Sequence, residues 1–326
     1  MGRWRSYLRR SWVVGVLVSA VIIGVLATRL DWAEFALAIR GVRWGWVMLA
    51  GAAFVASISL RALRWHRISE GSYRALPGYW KATVIGYVGN SFYPGRAGEI
   101  LRVAVLHFSL RVPPGDAMVT AFADRLADLA LLSVVALVVF GAASAGPAGE
   151  ELLGLLAVLA LIPILFFAVF MLFGSRLNSF VAACARALPG AWSDRIPRWY
   201  GQAWVTAKRL STPRTLAAAV GLTAVAYLAD YTALWLVFAA FGWSLPFDAA
   251  IVTGVFIAFG SLLPAAPGYV GVYQLACVLA LRIYDIEESS AVAYSVVAQV
   301  ATLLVVALLG VFAAMFRSGP TRLDSF

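Results

Sequence analysis

The chain alternates long apolar runs with short charged junctions, and the lengths of those runs predict membrane helices. A first run, 11–28, follows Arg3, Arg5, Arg9 and Arg10 and ends at Arg29, Asp31 and Trp32. Its length, and the lack of a small-residue cleavage site after it, favour a retained signal anchor over a cleaved signal peptide. A second run, about 44–60, leads into Arg61, Arg64, Arg67, Arg74 and Lys81. Those five cations predict a cytoplasmic loop. Further full spans are expected at about 117–140, 152–173, 215–241 and 290–316, which makes six.

Two other apolar stretches are interrupted. Residues 82–110 contain Asn90, Pro94, Gly95, Arg96, Gly98, Glu99 and Arg102, and residues 249–281 contain Gly260, Pro264, Pro267, Gly268 and Gly271. Broken backbone at membrane depth is tolerated only where protein or a wet cavity satisfies its polar groups. Each stretch therefore reads as a broken or re-entrant helix pair. The breaks share a pattern, Pro94-Gly95-Arg96-Ala97-Gly98 against Pro267-Gly268-Tyr269-Val270-Gly271. The fold expected is an all-α, polytopic membrane bundle of about six full spans plus two broken segments.

The loop cations orient it. Residues 141–151 carry two acids and no Lys or Arg, so that loop is external, whereas 175–214 carries seven cations and is cytoplasmic. Arg317 and Arg322 put the C-terminus in the cytoplasm with the N-terminus. A single membrane domain, 1–326, then divides into halves 1–141 (break 82–110) and 152–326 (break 249–284). Three full crossings per half is an odd number, so the repeat is inverted, the pattern of transporters whose site lies where the repeats meet. Within 175–214, Trp192, Trp199 and Trp204 interleave with Arg195, Arg198 and Lys208. That segment is either a helix lying in the inner-leaflet interface or an amphipathic connector plugging the bundle.

Composition agrees. Of 326 residues, 62% are hydrophobic and 13% charged, against roughly 25% charged in soluble domains. The net charge of +10 is spread beside apolar runs, which argues for anionic headgroups and against nucleic acid. His66, His107, Cys184 and Cys277 fall in no ligand spacing, so no metal or cofactor is expected.

A few charges fall inside the predicted bilayer. Arg96 and Arg102 offer two forks for phosphate oxygens beside a helix start. Glu99 either pairs with one of them or sits as a first-turn acid favoured by the dipole. Asp124 and Asp128, an i, i+4 pair around Arg125, invite a cation, a proton or an arginine from the first break. Asp230 is mid-span beside Tyr227 and Tyr231, for proton coupling, headgroup contact or an interhelical clamp. At the second break, Tyr273 and Gln274 add polar contacts to Pro267, Gly268 and Gly271.

Arg61-Ala-Leu-Arg64-Trp65, the stretch from Asn90 through Pro94-Gly95-Arg96-Ala97-Gly98-Glu99 to Arg102, Asp124-Arg125-Leu126-Ala127-Asp128, and Leu263-Pro264 through Gly271 carry a resemblance. With these motifs the chain resembles the lysylphosphatidylglycerol synthase transmembrane, or flippase-like, family over nearly its whole length. The resemblance implies a helical bundle handling phospholipids or polyprenyl lipids. With the sequence ending at Phe326, ten residues past the last span, no aminoacyl-transferase domain is expected and lysyl transfer is not.

The function expected is that of a non-enzymatic lipid flippase of the cytoplasmic (inner) membrane. Its substrate would be an anionic phospholipid or a polyprenyl or hopanoid-type lipid, gathered by Arg61, Arg64 and Arg67 with the loop cations and held at the breaks by Arg96, Arg102 and adjacent N–H groups. Its partners would be membrane lipids, with a second copy or a lipid-modifying enzyme alongside. The alternative is a membrane-embedded transferase or accessory subunit acting on a lipid-linked sugar, with Glu99, Asp124 and Asp128 as its acids.

Overall fold

The computed structural model describes residues 2–69, 75–93, 97–143, 165, 169–170, 172–187, 190, 192–210, 212–261, 263 and 265–315. Among them every regular element is helical. In chain order these are α1 (Gly2–Arg29), α2 (Trp32–Arg40), α3 (Trp44–Ile68), α4 (Leu76–Phe92), α5 (Gly98–Leu110), α6 (Pro114–Ala143) and α7, helical over 172–185. There follow α8 (Trp192–Leu210), α9 (Pro213–Ala240), α10 (Phe247–Gly260), a 3-10 turn at Pro267–Tyr269, α11 (Val272–Arg282) and α12 (Glu288–Met315).

Three of these, α3, α9 and α12, are long and apolar enough to cross a membrane, and α1 from Gly15 bends by 95° into α2 to make a fourth candidate. The chain is thus an all-helical, multi-pass membrane protein. The expected fourth span, 152–173, lies almost wholly outside the described residues.

Both expected breaks are present as helix pairs, α4 with α5 and α10 with α11. The basic block after residue 60 corrects the loop expected there: α3 runs on to Ile68, so Arg61, Arg64 and Arg67 are helical. Arg, Ala, Leu and Trp all propagate a helix readily, and the charge that argued for a loop is compensated by buried carboxylates. The sequence also left α2 unseen. Asp31 starts it, its carboxylate accepting from the N–H groups of Ala33 (2.9 Å) and Glu34 (3.1 Å), an N-cap that satisfies two otherwise orphan donors.

The described chain divides into two compact units. The first comprises Met1–Ser59, Thr83–Arg102 and Ala226–Arg317. It buries Phe238 and Tyr294, with ring centroids 4.9 Å apart and Trp243 stacked on Tyr294 at 5.7 Å. On α12 the buried face is mostly small, Ala291, Ala293, Ser295 and Ala298, while Leu304, Leu308, Val311 and Met315 point outward. Small residues toward the helix neighbours and bulky ones toward lipid are how membrane helices gain close packing. The N-terminus of α12 binds α2, Ser289 Oγ accepting from the Asp31 N–H at 3.0 Å and Ser290 Oγ donating to Glu34 at 3.2 Å.

The second unit comprises Leu60–Ala82 and Val103–Val225. Its core holds Trp65, Tyr79, Ala82, Leu106, Ala117 and Ala121. The Trp65 indole N–H donates to Thr120 Oγ1 at 3.1 Å, so the one polar atom of the largest core side chain is satisfied. The segment 175–214 folds as α7 and α8. On α8, Trp199 lies on Gly115, Trp204 packs on Gly174, and the Tyr200 hydroxyl donates to the Gly174 carbonyl at 2.7 Å. Arg195, Arg198 and Lys208 are on its exposed side.

Candidate functional site

In the second unit the charges gather around one residue. Arg64 is fully buried, at 0% exposure. Its Nε donates to Asp124 Oδ1 and its Nη1 to Asp128 Oδ1, both at 2.7 Å. Nη1 also donates to Thr223 Oγ1 at 2.9 Å, and Nη2 to the Asp124 carbonyl at 3.1 Å. One guanidinium thus ties α3 to α6 and α9. The spacing of Asp124 and Asp128 explains the fit, because i and i+4 stack on one face and a planar fork reaches both. Arg61 Nε lies 3.8 Å from Asp128 Oδ1, and Arg125 Nη1 lies 3.0 Å from Asp128 Oδ2.

The sequence offered these carboxylates to a cation, a proton or an arginine from the first break; an arginine takes them, and it comes from α3. Arg64, expected to gather headgroups, is enclosed instead. Thr223 gave no warning, since a threonine in an apolar helix reads as ordinary.

In the first unit Asn90, Glu99 and Arg102 come together beside the first break. Asn90 Oδ1 accepts from the Gly98 N–H at 3.0 Å, capping the start of α5, and its Nδ2 reaches Glu99 Oε1 at 3.5 Å. Arg102, 1% exposed, places Nε 2.9 Å from Glu99 Oε2. Glu99 takes both roles open to it, pairing with Arg102 and sitting in the first turn of α5. The helices meet at glycines: a Cβ on Gly98 would overlap the Gly86 carbonyl oxygen. Pro94, Gly95 and Arg96 lie outside the described residues.

The second break runs from Gly260 to Gly271. Gly268 and Gly271 have φ of 75° and 87°, conformations that side chains disfavour. Pro267 opens the 3-10 turn, and Gly271 precedes α11, whose first residues include Tyr273 and Gln274. Two glutamines serve the turn's backbone: the Gly271 N–H donates to Gln274 Oε1 (2.7 Å), Gln274 Nε2 to Gln299 Oε1 (2.6 Å), and Gln299 Nε2 to the Gly268 carbonyl (2.6 Å). From α1, Ser19 Oγ accepts from the Ala266 N–H at 2.9 Å. Gln299 and Ser19 were missed. A lone amide in an otherwise apolar span is the signal that points to the first; Ser19 left none.

The two breaks adjoin within this unit. A Cβ built on Gly268 would lie 3.6 Å from the Ser91 carbonyl oxygen, at the end of α4, and 3.7 Å from Leu303 Cδ1. Asp230 sits midway along α9, partly buried, beside the Tyr227 and Tyr231 rings, whose centroids are 5.9 Å apart. Among the described residues no group of three or more His, Cys, Asp or Glu is arranged to hold a metal.

The first unit holds the Glu99–Arg102 ion pair at the first break and the Gln274–Gln299 amide chain at the second. The model of one family, described as the lysylphosphatidylglycerol synthase TM region, matches residues 12–310. No curated protein and no solved structure matches the chain.

Proposed function

The chain belongs to the lysylphosphatidylglycerol synthase TM family, and from that premise we propose that it moves a lipid between the leaflets of the cytoplasmic (inner) membrane. The observation that carries the proposal is the adjacency of the two breaks, Gly268 facing the Ser91 carbonyl inside one compact unit. A lipid headgroup crossing a bilayer needs polar atoms at membrane depth, and broken helices supply them where protein lines the path.

In this scheme the chain has six full spans and two broken segments arranged as an inverted repeat of 1–141 and 152–326, with both termini in the cytoplasm. Headgroups gather at the cytoplasmic cations around 175–214. Arg102 and Glu99 then open their mutual ion pair to take the headgroup, Arg96 adds a second guanidinium at the same break, and the Gly268–Gly271 backbone lines the far side. The Arg64 cluster is the fixed frame. The substrate is an anionic phospholipid or a polyprenyl or hopanoid-type lipid.

The test is reconstitution into vesicles with head-labelled phosphatidylglycerol or a labelled polyprenyl phosphate, following quenching of the outer leaflet. Wild type is expected to speed transbilayer movement of at least one probe, and Arg102→Ala and Glu99→Gln to slow it. Equal rates in wild-type and protein-free vesicles for every probe would refute the proposal.

A further inference from the structure

We infer that Gln299 is the positioning residue of the second break, and that it acts through the donor and acceptor pattern of its neutral amide. The inference rests on the lipid-passage reading for its functional half, and on geometry alone for the rest.

The residues from Ala266 to Gly271 leave the helical ladder, so their main-chain groups need other partners. In a medium without water an unpaired N–H or C=O is costly. The amides of Gln274 and Gln299, 7% and 6% exposed, answer that need in one directed chain. The Gly271 N–H donates to Gln274, Gln274 donates to Gln299, and Gln299 donates to the Gly268 carbonyl. An amide oxygen only accepts and an amide nitrogen only donates, so each amide has a single orientation that serves this chain. It begins on the main chain at Gly271 and ends on the main chain at Gly268, closing a loop around the two left-handed glycines.

Gln299 belongs to α12, the longest apolar span of the first unit. The only tie in that chain from outside the break and α11 is therefore its amide. Gln274 precedes it in the same direction but sits on α11, which the break itself begins. Moving α12 along its axis would draw on the Gly268 carbonyl directly. The turn that faces Ser91 is thus placed by α12, not by the local sequence alone.

A glutamate tests the pattern, because the protonated acid keeps one donor and one acceptor whereas the carboxylate has no donor. Two readouts are taken between about pH 5 and pH 8: transbilayer movement of the lipid probe in vesicles, and amide hydrogen exchange of 266–272 corrected for intrinsic pH dependence. Gln299→Leu is expected to raise exchange at Gly271 and slow lipid movement by about tenfold or more at every pH. Gln299→Glu is expected to match wild type at the acidic end, and to move reversibly toward Gln299→Leu at any pH where the acid ionises, while wild type keeps one exchange level throughout. Gln274→Leu should mimic Gln299→Leu, and the double variant should be no worse than either. Thermal midpoints taken in parallel identify variants that have simply unfolded, in which case Gln299→Glu at acidic pH carries the comparison.

Unchanged exchange in Gln299→Leu, or a Gln299→Glu that behaves as Gln299→Leu even at the acidic end, would overturn the inference. Lost protection with undiminished lipid movement would overturn its functional half. A wild type that moves no lipid overturns the lipid-passage proposal, and the exchange data then judge the amide chain by themselves.

Discussion

Replacing Arg64 by leucine removes the centre of the buried charge cluster and leaves Asp124 and Asp128 stacked on one face of α6. Four hydrogen bonds go at once, two of them to carboxylate oxygens at 2.7 Å. Arg61 and Arg125 still reach Asp128, at 3.8 Å and 3.0 Å, and Asp124, 2% exposed, loses the guanidinium from both its Oδ1 and its carbonyl. Taking one partner from a buried ion pair costs about 3–5 kcal/mol, because the other charge stays desolvated. At about 2–4 °C per kcal/mol for a chain of this size, the thermal midpoint should fall by about 6–20 °C. Tryptophan fluorescence during a detergent melt measures it. Arg64→Lys keeps the charge without the planar fork and should lose about half as much. Arg64→Leu/Asp124→Asn should be less damaged than the sum of its singles, with a coupling of about 2 kcal/mol. A midpoint for Arg64→Leu within about 2 °C of wild type, together with additive behaviour of the pair, would refute the view that this cluster is one mutually dependent unit.

Three further outcomes are expected. Gly98→Ala should push α4 and α5 apart and cost about 1–3 kcal/mol or more, since its Cβ would overlap the Gly86 carbonyl and sit 2.5 Å from Asn90 Oδ1. Gly24→Ala, with nothing within 4 Å, should be neutral or gain up to about 1 kcal/mol, and paired melts separate the two. Tyr284 donates to Asp248 Oδ2 at 3.1 Å, and burial, then that bond and the carboxylate's charge, push its phenol up to about 12. A raised folded-state pKa gives stability that is complete below the ordinary tyrosine range and fades as pH climbs toward the raised value. Wild type should therefore lose thermal stability across that alkaline window, and Tyr284→Phe should lose less. In the native protein a maleimide should label exposed Cys184 and spare buried Cys277, with both reacting once the chain is unfolded; mass spectrometry of the labelled peptides decides it.

Much of the architecture was legible because membrane helices write their length into the sequence. The apolar runs became α3, α9 and α12, and the proline and glycine interruptions became the α4–α5 and α10–α11 breaks. What failed was arithmetic on charges taken one at a time. Arg61 and Arg64 look like loop cations until Asp124 and Asp128, some 60 residues on, are known to meet Arg64. The carboxylate pair was visible from its spacing, whereas its partner was not, because periodicity gives a face and says nothing of what packs against it. The short helix α2 went unseen although Asp31 and Glu34 form an acid-x-x-Glu start signal, since nine residues are too few for a periodic pattern to stand out. Gln299 was passed over for the opposite reason: it is one polar position in a long apolar span, and only its reach to Gly268 distinguishes it.

Between Ala266 and Gly271 the groups held in place are main-chain ones: the Ala266 N–H, the Gly268 carbonyl and the Gly271 N–H. Such a contour survives drift at Val270 so long as the glycines, the positive φ at Tyr269 and the amide partners persist. Distant relatives can therefore present the same polar outline with few identical side chains, and pairwise identity will understate their kinship. Alanine at Val270 would miss the outline as well, because that variant carries the same peptide groups. Exchanging a single peptide bond for an ester at Gly271, which deletes one N–H and leaves all side chains untouched, is the substitution matched to a surface of this kind.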